Sequence, residues 1–126
     1  MKNLKNSIQK CLTSFGYAFK GIGYLLKNEN NIRYQLLAGA IAIGLGVYLE
    51  VSQSEWIVLI ILIGLVLMAE AFNTAIEKLC DIVHPDHHPK IGIVKDLAAG
   101  AVLLISITAV IVGVIIFGNK LLSLWI

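Results

Sequence analysis

The sequence has little charge and few cysteines. Only 14% of its 126 residues are Asp, Glu, Lys or Arg, while 58% are hydrophobic, a share too high for an ordinary soluble domain. The two cysteines, Cys11 and Cys80, lie far apart and form no CxxC pair, so we expect free thiols on a reducing side of the membrane. The composition therefore indicates a single domain whose solvent is lipid.

The sequence also lacks the common nucleotide and nucleic-acid signatures. Gly16 and Gly21 have the GxxxxG spacing of a P-loop, but Ile22 and Gly23 stand where that loop needs Lys and Ser or Thr. The formal net charge is only +2, and the basic residues are spread out without interleaved aromatic residues. We therefore expect no P-loop and no nucleic-acid partner. The N-terminus has no continuous apolar core followed by a cleavage site, so no cleaved signal peptide is expected.

Three uncharged segments are candidates for membrane spans. Residues 97–119 are 23 residues without a charge, enough at about 1.5 Å per residue to cross a hydrocarbon core of about 30 Å. The runs 34–49 and 56–69 are shorter and need interfacial residues to complete a span. Small residues four apart in the first of them, such as Ala38 and Ala42, predict close packing against another helix. The predicted spans are about 33–50, 54–80 and 95–119.

The N-terminal segment has the periodicity of an amphipathic helix. Its apolar residues recur every three or four positions, and lysines occupy other sides of the helix; the apolar set is Ile8, Leu12, Phe15, Phe19, Ile22 and Leu26. This pattern predicts a helix over about 5–27 that lies in the membrane interface. A helix packed on a partner protein is the alternative.

The distribution of basic residues predicts the topology. Six of the ten precede the first span, namely Lys2, Lys5, Lys10, Lys20, Lys27 and Arg33. The turn Glu50 to Glu55 has none, whereas the segment 78–95 carries three. By the positive-inside rule the N-terminus and the segment 78–95 are cytoplasmic, which gives a multi-pass protein with three spans.

A polar stripe begins where the second apolar run ends. Asn73, Glu77 and Asp81 follow Glu70 at offsets of 3, 7 and 11, which places them within roughly 60° of one direction on a helix; Thr74 adjoins them. Ionisable side chains at bilayer depth are costly and indicate a functional site. A solvated helix end is the alternative, and it explains Asp81 better than Glu70.

The predicted topology brings many polar residues to the cytoplasmic face: Lys10, Lys20, Glu29, Arg33, Glu70, Asn73, Glu77, Asp81, Lys95 and Asp96. Carboxylates and an amide are the oxygen ligands that Mg²⁺ prefers, and Mg²⁺ commonly shares its coordination sphere with substrate phosphates. A further carboxylate at the interface, Glu70, can act as general base toward a lipid hydroxyl. The three histidines of the loop HPDHHP (84–89) allow a zinc site as a weaker alternative.

Four sequence blocks resemble the prokaryotic diacylglycerol kinase family, which includes undecaprenol kinases. They are GYAFKG (16–21), NENNIR (28–33), AEAFNTAIEKLCD (69–81) and KDLAAGAVL (95–103). The resemblance implies an all-α membrane protein with a surface helix and three spans, assembled as a homotrimer with sites between neighbouring subunits. It also implies ATP as phosphoryl donor, Mg²⁺, a membrane-lipid acceptor and the inner membrane of a bacterium.

The resemblance also implies roles for individual residues. Glu70 would be the catalytic base, and Glu29 and Glu77 would bind the magnesium. The implied ATP contacts are Lys10, Tyr17, Glu29, Asn73, Glu77, Asp81, Asp86, His87, His88, Lys95 and Asp96. The implied lipid contacts are Lys10, Ser14, Phe15, Gly16, Tyr17, Ala18, Phe19, Asn31, Ile32, Arg33, Tyr34, Gln35, Trp56, Glu70 and Ala99.

Three positions depart from the family pattern. Lys10 stands where arginine is frequent, which keeps the charge but loses the bidentate fork. Ala99 and Gln35 replace the serine and glutamate of familiar diacylglycerol kinases, and AAGAVL is more similar to undecaprenol kinases. We therefore expect undecaprenol as acceptor, with diacylglycerol as the alternative. A small channel or transporter lined by Glu70 and Asn73, and a non-catalytic scaffold, are the alternatives from other classes.

Overall fold

The computed structural model describes all 126 residues and contains four helices and no strand. Their bounds are α1 Lys2–Asn28, α2 Asn30–Tyr48, α3 Gln53–Val83 and α4 Pro89–Trp125. The all-α prediction is confirmed. The chain divides into two compact units, Met1–Asn30 and Asn31–Ile126, which are described separately below.

The first unit consists almost entirely of α1, which covers the helix predicted over 5–27. None of its residues is buried, and the aromatic rings of its apolar stripe are well exposed, with Phe15 at 59% and Phe19 at 71%. The connection to α2 is a single extended residue, Glu29, whose backbone N–H donates to the carbonyl of Leu25. This connection is shorter than the gap between the helix predicted over 5–27 and the span predicted over 33–50, because the asparagines on either side of Glu29 continue the helices.

The second unit is built on two long antiparallel helices, α3 and α4, which pack along their length. Both are long and apolar enough to cross a membrane by length and composition, and the shorter α2 does not meet that criterion. The first turns of α2 carry Asn30, Asn31, Arg33 and Gln35, which lower its apolar content. A membrane protein with two apolar helices is supported, and the third span stays a prediction.

One end of the second unit is closed by a small apolar core beside the turn between α2 and α3. The buried members are Val51, Leu59 and Ile116, and Trp56, Val112 and Phe117 pack against them. The turn itself is held by a capping box at the start of α3. Ser52 N donates to Glu55 Oε2 at 2.8 Å, and Glu55 N donates to Ser52 Oγ at 3.3 Å.

The same end is tied to α4 by a lysine. Lys120 Nζ lies 3.8 Å from Glu55 Oε2 and donates to the carbonyl oxygen of Glu50 at 3.5 Å. Glu50 has a φ of 51°, a left-handed conformation that turns the chain from α2 into α3. These contacts fix how far α4 extends alongside α3.

Side chains of α3 pack against two glycines of α2. A Cβ built on Gly39 would lie 3.2 Å from Ile63 Cγ2, and one on Gly46 would lie 2.7 Å from Trp56 Cη2. Gly44, by contrast, has nothing within 4 Å of such a Cβ. These two glycines lie seven residues apart on the same face of α2. The close approach of helix backbones that the small residues predict is not seen, because the side chains of Ile63 and Trp56 fill the space between α2 and α3.

Replacing Gly46 should destabilise the second unit. Gly46→Ala forces the packed indole of Trp56 to move, which should cost about 1–3 kcal/mol of unfolding free energy. Gly44→Ala is the matched control on the same helix, and it should be neutral or stabilising by up to about 1 kcal/mol because the site is open. Thermal unfolding of both variants in detergent micelles measures the difference. Equal melting temperatures would show that the α2–α3 contact contributes nothing.

Candidate functional site

The buried polar residues of the chain lie together on α3. They are Glu70, Asn73 and Thr74, which are 3%, 8% and 4% exposed. They follow the uncharged run 56–69, so the helix continues from apolar sequence into a polar face without a break. Burial of polar groups in apolar surroundings is costly unless they are paired, so this face requires an explanation.

Among these buried polar residues, only Glu70 has an ionisable side chain. None of the hydrogen bonds or ion pairs in the chain involves its carboxylate, although the residue is 3% exposed. The idea that Glu70 belongs to a solvated helix end is therefore wrong. A buried carboxylate without a partner is available to accept a proton or a hydrogen bond from a ligand.

Asn73 and Glu77 form the next part of the face. Asn73 Nδ2 donates to Glu77 Oε1 at 3.5 Å, and Asn73 Oδ1 is buried without any hydrogen-bond partner. No group of three or more His, Cys, Asp or Glu side chains in the chain is arranged to hold a metal ion. Mg²⁺ commonly uses one or two carboxylates and completes its sphere with water and phosphate oxygens. The unpartnered amide oxygen beside Glu77 therefore fits Mg²⁺ that arrives with a phosphate ligand.

An ion pair joins α3 and α4 at the end of the polar stripe. Lys95 Nζ donates to Asp81 Oδ1 at 2.5 Å, and the two side chains are 38% and 58% exposed. Such an exposed pair contributes at most about 1 kcal/mol to stability. The pair therefore mainly orients two side chains for which the family resemblance implies contact with ATP, a role that stays a prediction, and the neighbouring Asp96 is exposed.

The loop between α3 and α4 is fixed by its own histidines. His84 Nδ1 lies 2.7 Å from the carbonyl oxygen of Asp86, and His88 Nδ1 accepts from Lys90 N at 3.1 Å. The two imidazole rings meet edge to face with centroids 5.1 Å apart. His88 is thus the N-cap of α4, a role that the sequence analysis missed although Pro89 at the first helical position is a typical signal.

Several predicted ligand residues belong to the first unit. Lys20 Nζ lies 5.8 Å from the ring centroid of Tyr17, which is 67% exposed, and Ser14 Oγ donates to the carbonyl of Lys10 at 2.9 Å. The roles of these residues and of Glu29 stay predictions.

The predicted lipid contacts of the second unit are scattered along its helices. Ile32 is buried and Tyr34 is exposed. Trp56 packs against Gly46 in the apolar core, fourteen residues and hence about 21 Å from Glu70 along α3. Trp56 is therefore not a neighbour of the candidate base. Ala99 is exposed, and its neighbour Ala98 is the buried residue of that pair.

Ser106 on α4 was not among the residues predicted from the sequence. Its Oγ is buried and has no hydrogen-bond partner. A single serine inside the long apolar run of α4 was the available signal, because helix serines in lipid usually bond to another helix or to their own backbone.

An all-helical chain with two apolar helices and a buried unpartnered carboxylate fits an integral-membrane enzyme. A profile of the prokaryotic diacylglycerol kinase family matches residues 16–117. An undecaprenol kinase from Bacillus subtilis is 34% identical over 120 residues, which cover 95% of this chain and 98% of that protein. A diacylglycerol kinase from Synechocystis is 36% identical over 126 residues, which cover 99% of this chain and 72% of that protein.

A diacylglycerol kinase from Escherichia coli K12 is 31% identical over 111 residues, with 88% of this chain and 91% of that protein covered. These similarities show that the chain is an enzyme of the lipid kinase class. It belongs to the prokaryotic diacylglycerol kinase family.

Replacing Asn73 tests whether its amide binds a ligand or only stabilises the fold. Asn73→Ala removes an oxygen that is already desolvated and unpartnered, together with one long hydrogen bond of 3.5 Å to Glu77, so the unfolding free energy without ligand should change by no more than about 1 kcal/mol. The rise in melting temperature on adding Mg²⁺ and a non-hydrolysable ATP analogue should be lost. Asn119→Ala, at an exposed position near the far end of α4, is the control and should keep that rise. Strong destabilisation with an intact ligand response would make Asn73 a structural residue.

Proposed function

We propose that this protein transfers the γ-phosphoryl group of ATP to the primary hydroxyl of a membrane lipid at the cytoplasmic interface. The observation that carries the proposal is the buried, unpartnered Glu70 carboxylate one helical turn from the Asn73 amide. Such a transfer needs a base for the alcohol close to a phosphate-binding surface for the nucleotide, because the two substrates must be held side by side. In this proposal, one helix provides both.

The proposed reaction is a direct in-line displacement. The lipid oxygen attacks the γ-phosphorus, an O–P bond forms, the bond from the γ-phosphorus to the bridging oxygen breaks, and ADP leaves. Glu70 accepts the proton that the hydroxyl loses. Asn73 and Glu77 would hold Mg²⁺, which when bound would supply positive charge to the phosphate oxygens of the nucleotide. Lys95, oriented by Asp81, adds a further positive charge.

The proposal includes the contribution of the first unit. Glu29 joins Glu77 as a magnesium ligand, and Lys10, Tyr17 and the loop 86–88 contact the nucleotide, as the family resemblance implies. The lipid lies along residues 14–19 and 31–35. These assignments are supported by the matched family, whose profile covers all of these positions except Lys10, Ser14 and Phe15.

The proposed assembly is a homotrimer of three-span subunits in the inner membrane of a bacterium, with α1 on the cytoplasmic surface. The exposed apolar rings on α1, the apolar lengths of α3 and α4 and the basic N-terminal segment support this arrangement. We also propose that the whole chain acts as a single lipid kinase domain.

The proposed acceptor is undecaprenol, with diacylglycerol as the alternative. Relatives named for each of these substrates are similar to the chain over most of its length. Ala99, Gln35 and the string AAGAVL favour undecaprenol. Both alcohols present a primary hydroxyl, so the chemistry at Glu70 is the same for either.

The purified protein in detergent micelles with radiolabelled ATP should move label into undecaprenol faster than into diacylglycerol. Glu70→Gln keeps the size of the side chain but cannot accept the proton, so lipid phosphorylation should fall by about 10²- to 10⁴-fold. Thin-layer chromatography of the extracted lipid measures both effects.

Glu50→Gln is the control for that substitution, because Glu50 is an exposed acid in the turn at the other end of α3. It should keep the wild-type rate. Substantial turnover by the Glu70→Gln variant would remove Glu70 from the role of base, and faster labelling of diacylglycerol would reverse the assignment of the acceptor.

A further inference from the structure

The last part of α4, residues 118–125, lies outside the range that the family profile matches, which ends at residue 117. Four large apolar side chains are exposed in this part, namely Leu121, Leu122, Leu124 and Trp125. Exposed apolar patches of this kind mark contacts with a membrane or with another protein. The position of this patch along α4 indicates which of the two it contacts.

The charged residues at the α2–α3 turn mark the level of one membrane face. Lys120 Nζ lies 3.8 Å from Glu55 Oε2 and donates to the carbonyl oxygen of Glu50 at 3.5 Å. Charges are costly in hydrocarbon, so this cluster lies at or outside the boundary of the acyl chains. Residues 121–125 extend about 8 Å further along α4. This length matches one head-group layer, which is about 5–8 Å deep.

Exposed apolar side chains form one stripe along α4 that continues past this level. Its members repeat every three, four or seven residues, which keeps them on one side of the helix. They are Leu103, Leu104, Ile107, Val110, Ile111, Val114, Ile115, Leu121, Leu122 and Trp125. The stripe lies opposite the buried residues Ala98 and Ile116, so it is the side of α4 that is available to lipid. The surface that faces acyl chains is therefore continuous with the end of the helix.

The residue types at the end of the stripe suit the boundary between acyl chains and head groups. Long side chains on a helix lean toward its N-terminus, so those of Leu121, Leu122 and Trp125 lean back toward the span. Leucine is suited to the acyl chains. The indole of Trp125 has an apolar body and one N–H donor, and this combination enriches tryptophan at membrane–water boundaries.

We propose that residues 121–125 are an interfacial anchor for the leaflet at the α2–α3 turn. In this anchor, Trp125 binds in the head-group layer, and Leu121 and Leu122 contact the acyl chains below it. In the proposed topology this leaflet is the outer one. The anchor goes beyond the proposed function, because it contains none of the residues assigned to phosphoryl transfer.

The depth of Trp125 can be measured by fluorescence. The chain has two tryptophans, so Trp56→Phe leaves Trp125 as the only indole. In phosphatidylcholine vesicles, lipid brominated on the acyl chain near the head group should quench Trp125 more than lipid brominated near the chain end. Iodide on both sides of the bilayer should quench it weakly. Strong quenching by iodide with none by brominated lipid would place Trp125 in water and overturn the proposal.

Trp125→Phe is the matched control, because Trp56 stands next to Glu55 at the same level but packs against Gly46 inside the second unit. Brominated lipid and iodide should both quench Trp56 less than Trp125. If Trp56→Phe does not fold, the difference between wild type and Trp125→Phe reports Trp125. Protection of Trp125 from both quenchers would show that protein, such as a second copy of the chain, covers it, and would overturn the proposal.

Leu122→Gln tests the apolar contact without changing the indole. In the Trp56→Phe background it should raise iodide quenching of Trp125 by about twofold or more, because the anchor moves toward water. Ser123→Gln introduces the same side chain at an exposed position off the stripe and should leave the quenching unchanged. Equal quenching in Leu122→Gln and its parent would contradict the anchor. None of these measurements requires phosphorylation, so an inactive protein would refute the proposed function and leave the anchor intact.

Discussion

The structure depends on one electrostatic constraint, the burial of an unpartnered carboxylate in an apolar helix. Removing a charged group from water costs several kcal/mol unless it is paired, and the chain supplies no partner to Glu70. Asn73 Oδ1 adds a second buried oxygen without a partner, one turn further along α3. Phosphates with their cation, and the proton of an alcohol, are chemically suitable partners for these oxygens.

The rest of the second unit holds this face in place. At one end, the capping box between Ser52 and Glu55 holds the start of α3, and Lys120 of α4 contacts the same Glu55 and so ties α4 to α3. At the other end, the Asp81–Lys95 pair ties the same two helices again. With both ends fixed, Glu70 and Ser106, each eleven residues from the Asp81–Lys95 pair, are kept at about the same depth. The contacts of Gly39 with Ile63 and of Gly46 with Trp56 hold α2 against α3.

Much of this arrangement follows from sequence. The uncharged runs predicted α3 and α4, and the 3.6-residue period placed Glu70, Asn73 and Glu77 on one face. Periodicity does not give the register between helices, which depends on tertiary packing. For that reason the contacts of Gly39 and Gly46, the depth of Ser106 and the distance of Trp56 from Glu70 required the structure. The cap made by His88 depends on the loop conformation, which no helical period specifies.

The central claim is that the buried oxygen face of α3 binds a metal-bound nucleotide. The most direct measurement replaces Mg²⁺ with Mn²⁺ and follows free Mn²⁺ by electron paramagnetic resonance as the full-length protein is titrated with a non-hydrolysable ATP analogue present. Saturable Mn²⁺ binding that requires the analogue, and that weakens by about tenfold or more in Glu77→Gln, is the predicted result. Binding of the same strength in wild type and Glu77→Gln would contradict the account.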